Sequence, residues 1–199
     1  PRAGNPYVSR IDAGTIELVQ ESGCQVVSSG DLVQRFEATW DDDQAAMHRE
    51  AEVITTSGFA VAWKAIAQAT AAGGQVQESE IRQVIMDHYR DHDAVTYHPP
   101  IVARNQHAGN PHYETGTGTD TAIREGDLVL IDQWCKVDRP HSVYSDLTRM
   151  GFVGTEVPGR YAEVFSIVAA ARDAAIECVS NAFAEDRVLQ GWEVDQACR

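Results

Sequence analysis

Apolar positions along this chain repeat with helical spacing in three long stretches and fall in short continuous runs elsewhere. Asp41-Asp42-Asp43 opens the first stretch, which predicts a helix to about Thr70 with Ala51, Ile54, Ala62 and Ile66 near one face. Its leading carboxylates suit the positive end of a helix dipole, and Gly73-Gly74 ends it. A second helix is expected from about Glu78, where Ile81, Val84, Ile85, His88 and Tyr89 keep the i, i+3, i+4, i+7, i+8 spacing of a core face. On that face His88 reads as a packed histidine. A third helix, from about Gly159 to Asn181, carries Tyr161, Val164, Phe165, Val168, Ala175, Ile176 and Val179 in what reads as one buried stripe, so its aromatics are expected in the core. Nearer the start, Thr15 to Ser22 is helix-like and Cys24-Gln25-Val26-Val27 reads as a short strand.

Between the second and third helices the pattern changes. Leu128-Val129-Leu130-Ile131 is a run that predicts a buried strand, and Val143-Tyr144-Ser145-Asp146-Leu147-Thr148 predicts a second. Pairing them antiparallel about Arg139 opposes Leu130 to Thr148 and Asp132 to Asp146. Like charges in such a position repel, and a divalent cation shared by both carboxylates would reverse the sign. The residues alone leave two readings open. Aspartate is common in turns, and Asp127 after Gly126 and Asp138 in the turn read as structural. Asp132 and Asp146 differ because apolar strand residues surround them, where an unpaired charge is costly.

Composition narrows the classes. With 199 residues and 43% hydrophobic positions, the chain can form a sizeable core. A formal net charge of −14 argues against a nucleic-acid surface. Cys24, Cys135, Cys178 and Cys198 are widely spaced without C-x-x-C pairing, which disfavours a disulfide scaffold and points to a reducing, cytoplasmic setting. No membrane span and no leader are read from the sequence. Gly116-Thr117-Gly118-Thr119 lacks the lysine of a phosphate loop, and there is no G-x-S-x-G elbow. The start at Pro1 and the stop at Cys198-Arg199, in what reads as a helix opening, lead to the expectation of a fragment.

Ile131-Asp132 followed by Tyr144-Ser145-Asp146-Leu147-Thr148-Arg149 resembles the two-aspartate hairpin of the pita-bread metallopeptidases. That family includes methionine aminopeptidase, aminopeptidase P, prolidase and creatinase. Pro100-Ile101-Val102-Ala103 and Asn110-Pro111-His112-Tyr113 resemble its upstream strand and Pro-His-Tyr element, in the same order. The resemblance implies an α+β pita-bread fold of which residues 36–199 form the first part of the catalytic domain. Residues 1–35 resemble the tail of an amino-terminal α/β domain, which favours the Xaa-Pro peptidase branch. It further implies a metal-dependent hydrolase that cleaves the bond before proline with water activated by two divalent ions, manganese first, cobalt or zinc also suitable. Asp132 and Asp146 would be metal ligands, with a further His and two Glu expected beyond residue 199. His112 would contact substrate and assist proton transfer, a task suited to an imidazole with its ordinary pKa of about 6.5. His107 would line the substrate groove. A homodimer, a peptide or small-molecule substrate, and inactivity of this fragment alone complete the expectation. A creatinase-like C–N or C–S cleavage and a non-catalytic binding homologue are the alternatives. One departure stands out: many members carry glycine two residues after the first aspartate, where this chain has Trp134.

Overall fold

The computed structural model describes residues 11–110, 112–118 and 120–199. The first ten residues of the expected amino-terminal piece, Pro111 of the Pro-His-Tyr element and Thr119 of the glycine-threonine run lie outside the described residues.

Two short helices, α1 (Ala13–Glu21) and α2 (Gly30–Glu37), precede α3 (Asp42–Thr70), the longest helix described. Asp41 caps α3: its carboxylate accepts the Gln44 N–H at 2.7 Å while the Gln44 side chain accepts the Asp41 N–H at 3.1 Å. The expected acidic helix start is thus a capping box. Ala51, Ile54, Thr55, Gly58, Phe59, Ala62, Ile66 and Thr70 are its buried residues, one stripe at three- and four-residue spacing. A 3-10 turn, Ala71–Gly73, leads through β1 (Val76–Gln77) into α4 (Glu78–Asp91), which buries Ile81, Ile85 and Tyr89. His88 is packed as expected, with Nε2 2.9 Å from Ser57 Oγ.

The main sheet contains β2 (Ala94–Val95), β3 (Ile101–Arg104), β5 (Leu128–Val137) and β6 (Ser145–Phe152), while β4 (Ala122–Ile123) pairs with β1. β5 is the central strand, antiparallel to β2, β3 and β6. Val129, Ile131, Gln133, Cys135 and Val137 form its buried face, and α3 and α4 contribute Ile54, Phe59, Ala62, Ile66, Ile81, Ile85 and Tyr89 to the same core. Helix and strand approach closely at Gly58, where a Cβ would stand 2.6 Å from Gln133 Oε1. After β6 come α5 (Gly159–Ala184) and α6 (Gly191–Ala197).

Four expectations are corrected. β5 does not stop near Ile131 but runs six residues further, because Trp134, Cys135 and Val137 continue its buried pattern. The β5–β6 register is displaced by two residues, opposing Asp132 to Thr148 and Trp134 to Asp146. Pairing continues to Leu128 opposite Phe152, and the turn across residues 138–144 absorbs the offset with His141 at φ 62°. Cys24–Val27 is not a strand, since among the described residues no neighbouring strand supplies the ladder that this short piece needs. The stripe on α5 is not buried. Val164, Phe165, Val168, Ile176 and Val179 are all exposed, and Ala182 is the one buried residue of the helix. Helical periodicity identified the stripe, but no described element packs over most of it.

Candidate functional site

Alternation along β5 sends Ile131, Gln133 and Cys135 into the core and leaves Asp132 and Trp134 on the opposite face. On β6 the same rule places Asp146 and Thr148 on that face. A two-residue register shift preserves faces, so the aspartates remain neighbours, diagonal rather than directly opposed. Thr148 Oγ1 donates to Asp132 Oδ1 at 2.6 Å, which fixes one carboxylate oxygen and leaves the other for a further partner. The Asp146 carboxyl titrates above the ordinary aspartate range, first because surrounding protein shields it from water and second because of the Asp132 charge. Two neighbouring carboxylates on one face of the sheet form a partial oxygen shell suited to a hard cation. Among the described residues, no group of three or more His, Cys, Asp or Glu side chains converges as a complete metal site.

Beside this pair stands an aromatic cluster. Trp134, opposite Asp146, lies 5.9 Å from both the Tyr97 and the His98 rings, the latter stacked upon it. Tyr97 meets Tyr144 edge-on at 5.5 Å. The departure noted in the sequence therefore places an indole across the sheet from Asp146.

His112 lies exposed on the loop between β3 and β4, where its N–H donates to Asn110 Oδ1 at 3.0 Å. The loop brings His112 into no shared metal cluster with the aspartates among the described residues. His107 sits on the same loop, stacked on Tyr113 at 4.3 Å, and it lines a cavity of about 80 Å³ with Arg104, Asn105, Gln106 and Thr121. Its Nδ1 is 3.0 Å from Glu78 Oε1.

Glu78 was read from sequence only as a helix start, yet it is fully buried. Its Oε1 also accepts the Arg104 N–H at 2.7 Å, and its Oε2 accepts Tyr113 Oη–H at 2.5 Å and the Thr121 N–H at 3.1 Å. Sequence reasoning missed it because an acidic residue in the first turn of a helix is ordinary. A signal existed in the chain: Glu78 and Glu80 share that first turn, and the capping box needs only Glu80. Asp127, read as structural, is so: it accepts from Asn105 Nδ2 and the Arg124 N–H and pairs with Arg104.

The fold has counterparts among solved structures. Dipeptidase PepE from Mycobacterium ulcerans superposes with a TM-score of 0.63 at 19% identity, over 84% of this chain and 42% of its own. Prolidase from Pyrococcus furiosus gives 0.60 at 20% identity, over 84% and 46%. The X-prolyl aminopeptidase of Caenorhabditis elegans, a cytosolic enzyme with a di-nuclear active site, gives 0.61 at 22% identity, over 72% and 23%. At such identities the likeness establishes the pita-bread fold, and this chain spans less than half the length of each of these proteins. No curated protein matches it significantly in sequence. The sequence profile of one metallopeptidase family, however, matches residues 46–199, which takes in α4, the Glu78-bound loop and the whole two-aspartate hairpin; the chain belongs to metallopeptidase family M24.

Proposed function

We propose that the protein carrying this chain is a metal-dependent hydrolase of the Xaa-Pro peptidase type, with Asp132 and Asp146 among the ligands of two divalent ions, manganese first. The observation that carries the reading is the pair of same-face carboxylates, one oriented by Thr148 and the other raised in pKa, inside the region matched by the M24 profile. The structural likeness to a prolidase and an X-prolyl aminopeptidase supports the Xaa-Pro assignment, and the di-nuclear site and cytosolic location of the latter support two metals and a cytoplasmic setting.

Bound there, divalent ions supply Lewis acidity that polarises a carbonyl and acidifies water. The chain's own residues do the rest. Asp132 and Asp146 hold position and charge, and the Thr148 hydroxyl keeps Asp132 in one rotamer. His112 orients the peptide and passes a proton at its imidazole. His107 contributes to the groove through the wall it forms with Tyr113. The aromatic cluster at Trp134, across the sheet from Asp146, favours a second reading in the same fold, cleavage of a small metabolite that packs against those rings. A homodimer is part of the proposal for the natural protein.

The test uses the natural protein with any chain continuing beyond Arg199. Manganese-dependent hydrolysis of Xaa-Pro dipeptides and longer peptides is expected, abolished by chelator and reduced by several orders of magnitude in Asp132→Asn or Asp146→Asn. Full activity in chelator would sink the metal reading. Turnover of guanidino compounds in preference to peptides would select the second reading.

A further inference from the structure

One buried carboxylate, Glu78, receives donors from both sides of His112. Arg104 N–H and His107 Nδ1 reach it from the chain before His112, and Tyr113 Oη–H and Thr121 N–H from the chain after. A fifth bond runs the other way, from the Glu78 N–H to the Thr121 carbonyl at 3.1 Å. A loop of this length has many conformations, and each restraint that spans it removes some of them. Burying an ionised carboxylate is costly unless its lone pairs are filled, and here four donors fill them.

The bonds are also placed where they matter. Tyr113 adjoins His112, and its ring stacks on His107, so the two side chains that Glu78 binds also bind each other. Thr115 Oγ1 adds a parallel anchor from the loop to β3, accepting the Val102 N–H at 2.8 Å and donating to the Val102 carbonyl at 3.0 Å. β3 itself pairs with β5 at Ile101–Asp132. A continuous path of hydrogen bonds and strand pairing therefore leads from α4 through the loop to the strand that carries Asp132.

We infer that Glu78 is a positioning residue: acting through Tyr113 and His107, it sets the place of His112 relative to the Asp132–Asp146 face. The inference rests on the reading of His112 as the proton-transfer group. A 1 Å misplacement of such a group costs about a hundredfold in rate, so loosening the loop should appear in kcat before it appears in KM.

Two variants test this. Tyr113→Phe removes one donor and keeps the ring stack; Glu78→Gln keeps the volume and turns a donor toward Tyr113 or Thr121. In the 199-residue chain, amide exchange at residues 107–110 and 112–115 should accelerate and the ¹⁵N order parameter of the His112 amide should fall in both variants. In the natural protein each should lower kcat by roughly ten- to a hundredfold with KM nearly unchanged. In a His112→Ala background neither should lower kcat further, although Glu78→Gln should lower Tm in both backgrounds. Unchanged order at His112 would overturn the positioning role whether or not the protein is a peptidase. Losses that multiply in the double variants would show that Glu78 does not act through His112. A His112→Ala protein with unchanged kcat, with loop order at His112 still lowered in the Glu78 and Tyr113 variants, would overturn the proton-transfer reading alone.

Discussion

At the scale of single residues, the tightest fit is Gly58 against Gln133. Gln133 is fully buried on β5, and its Oε1 accepts Tyr89 Oη–H at 2.9 Å. Alanine at position 58 would gain about 1 kcal/mol of helix propensity, but its methyl would stand 2.6 Å from that oxygen. Gln133 is the far end of a flexible side chain, yet packing and the Tyr89 bond hold it in place. Overpacking and a lost buried hydrogen bond together outweigh the propensity gain. Gly58→Ala should therefore destabilise the chain by about 1–2 kcal/mol in urea unfolding. Combining it with Gln133→Ala should make the same glycine replacement stabilising. A Gly58→Ala protein as stable as the parent would show that Gln133 moves aside at no cost. Neither partner is visible from sequence, because a mid-helix glycine and a polar strand residue become meaningful only once they meet.

At the scale of elements, legibility followed the length of the pattern. α3 and α4 were readable because each repeats its apolar stripe over several turns, and Asp41 marked the start of one of them. The two strands of the hairpin were also readable, as was the placement of Asp132 and Asp146 on one face. Their register was not. Side-chain alternation has a period of two, so it fixes which face a residue takes but not which of several even shifts the turn selects. The strand expected at Cys24–Val27 failed for a related reason: four apolar-leaning residues describe no partner. Packing between α3 and α4 also sets a pH dependence. Burial, and then the charge of His92 4.2 Å away, holds His88 below the ordinary histidine range. The unfolded chain takes up this proton near pH 6.5 and the folded chain only at lower pH. The stability that His88 contributes is thus present above about pH 6.5 and lost as pH falls through its lowered folded value. Between pH 7.5 and 5 the Tm of the parent should drop more steeply than that of His88→Gln, which retains an amide for Ser57. Parallel curves in a calorimetric series would mean that the ring is protonated without penalty.

At the scale of the whole molecule, α5 carries the main mismatch between sequence pattern and surroundings. Phe165, Val168, Ile176, Val179 and Phe183 repeat at helical spacing and are 58%, 60%, 57%, 41% and 87% exposed. The periodicity was legible, but which surface covers a stripe is not written in the stripe. A continuous apolar surface of this kind is uncommon on a monomer and favours association. The net charge of −14 opposes it by repulsion between copies. The two effects separate with salt: screening shortens the range of the repulsion to about 8 Å at physiological ionic strength, while burial of apolar area is not weakened by it. The 199-residue chain should therefore self-associate at tens of micromolar or above, and more strongly as sodium chloride is raised. Sedimentation velocity should show the shift with concentration and with salt. Phe165→Glu with Phe183→Glu should keep the chain monomeric under the same conditions while leaving its Tm nearly unchanged, because both side chains are exposed and support no core contact. If the parent stays monomeric at high salt, the stripe is covered by the chain's own remaining surface; if the double variant melts early, its phenylalanines belong to the core after all.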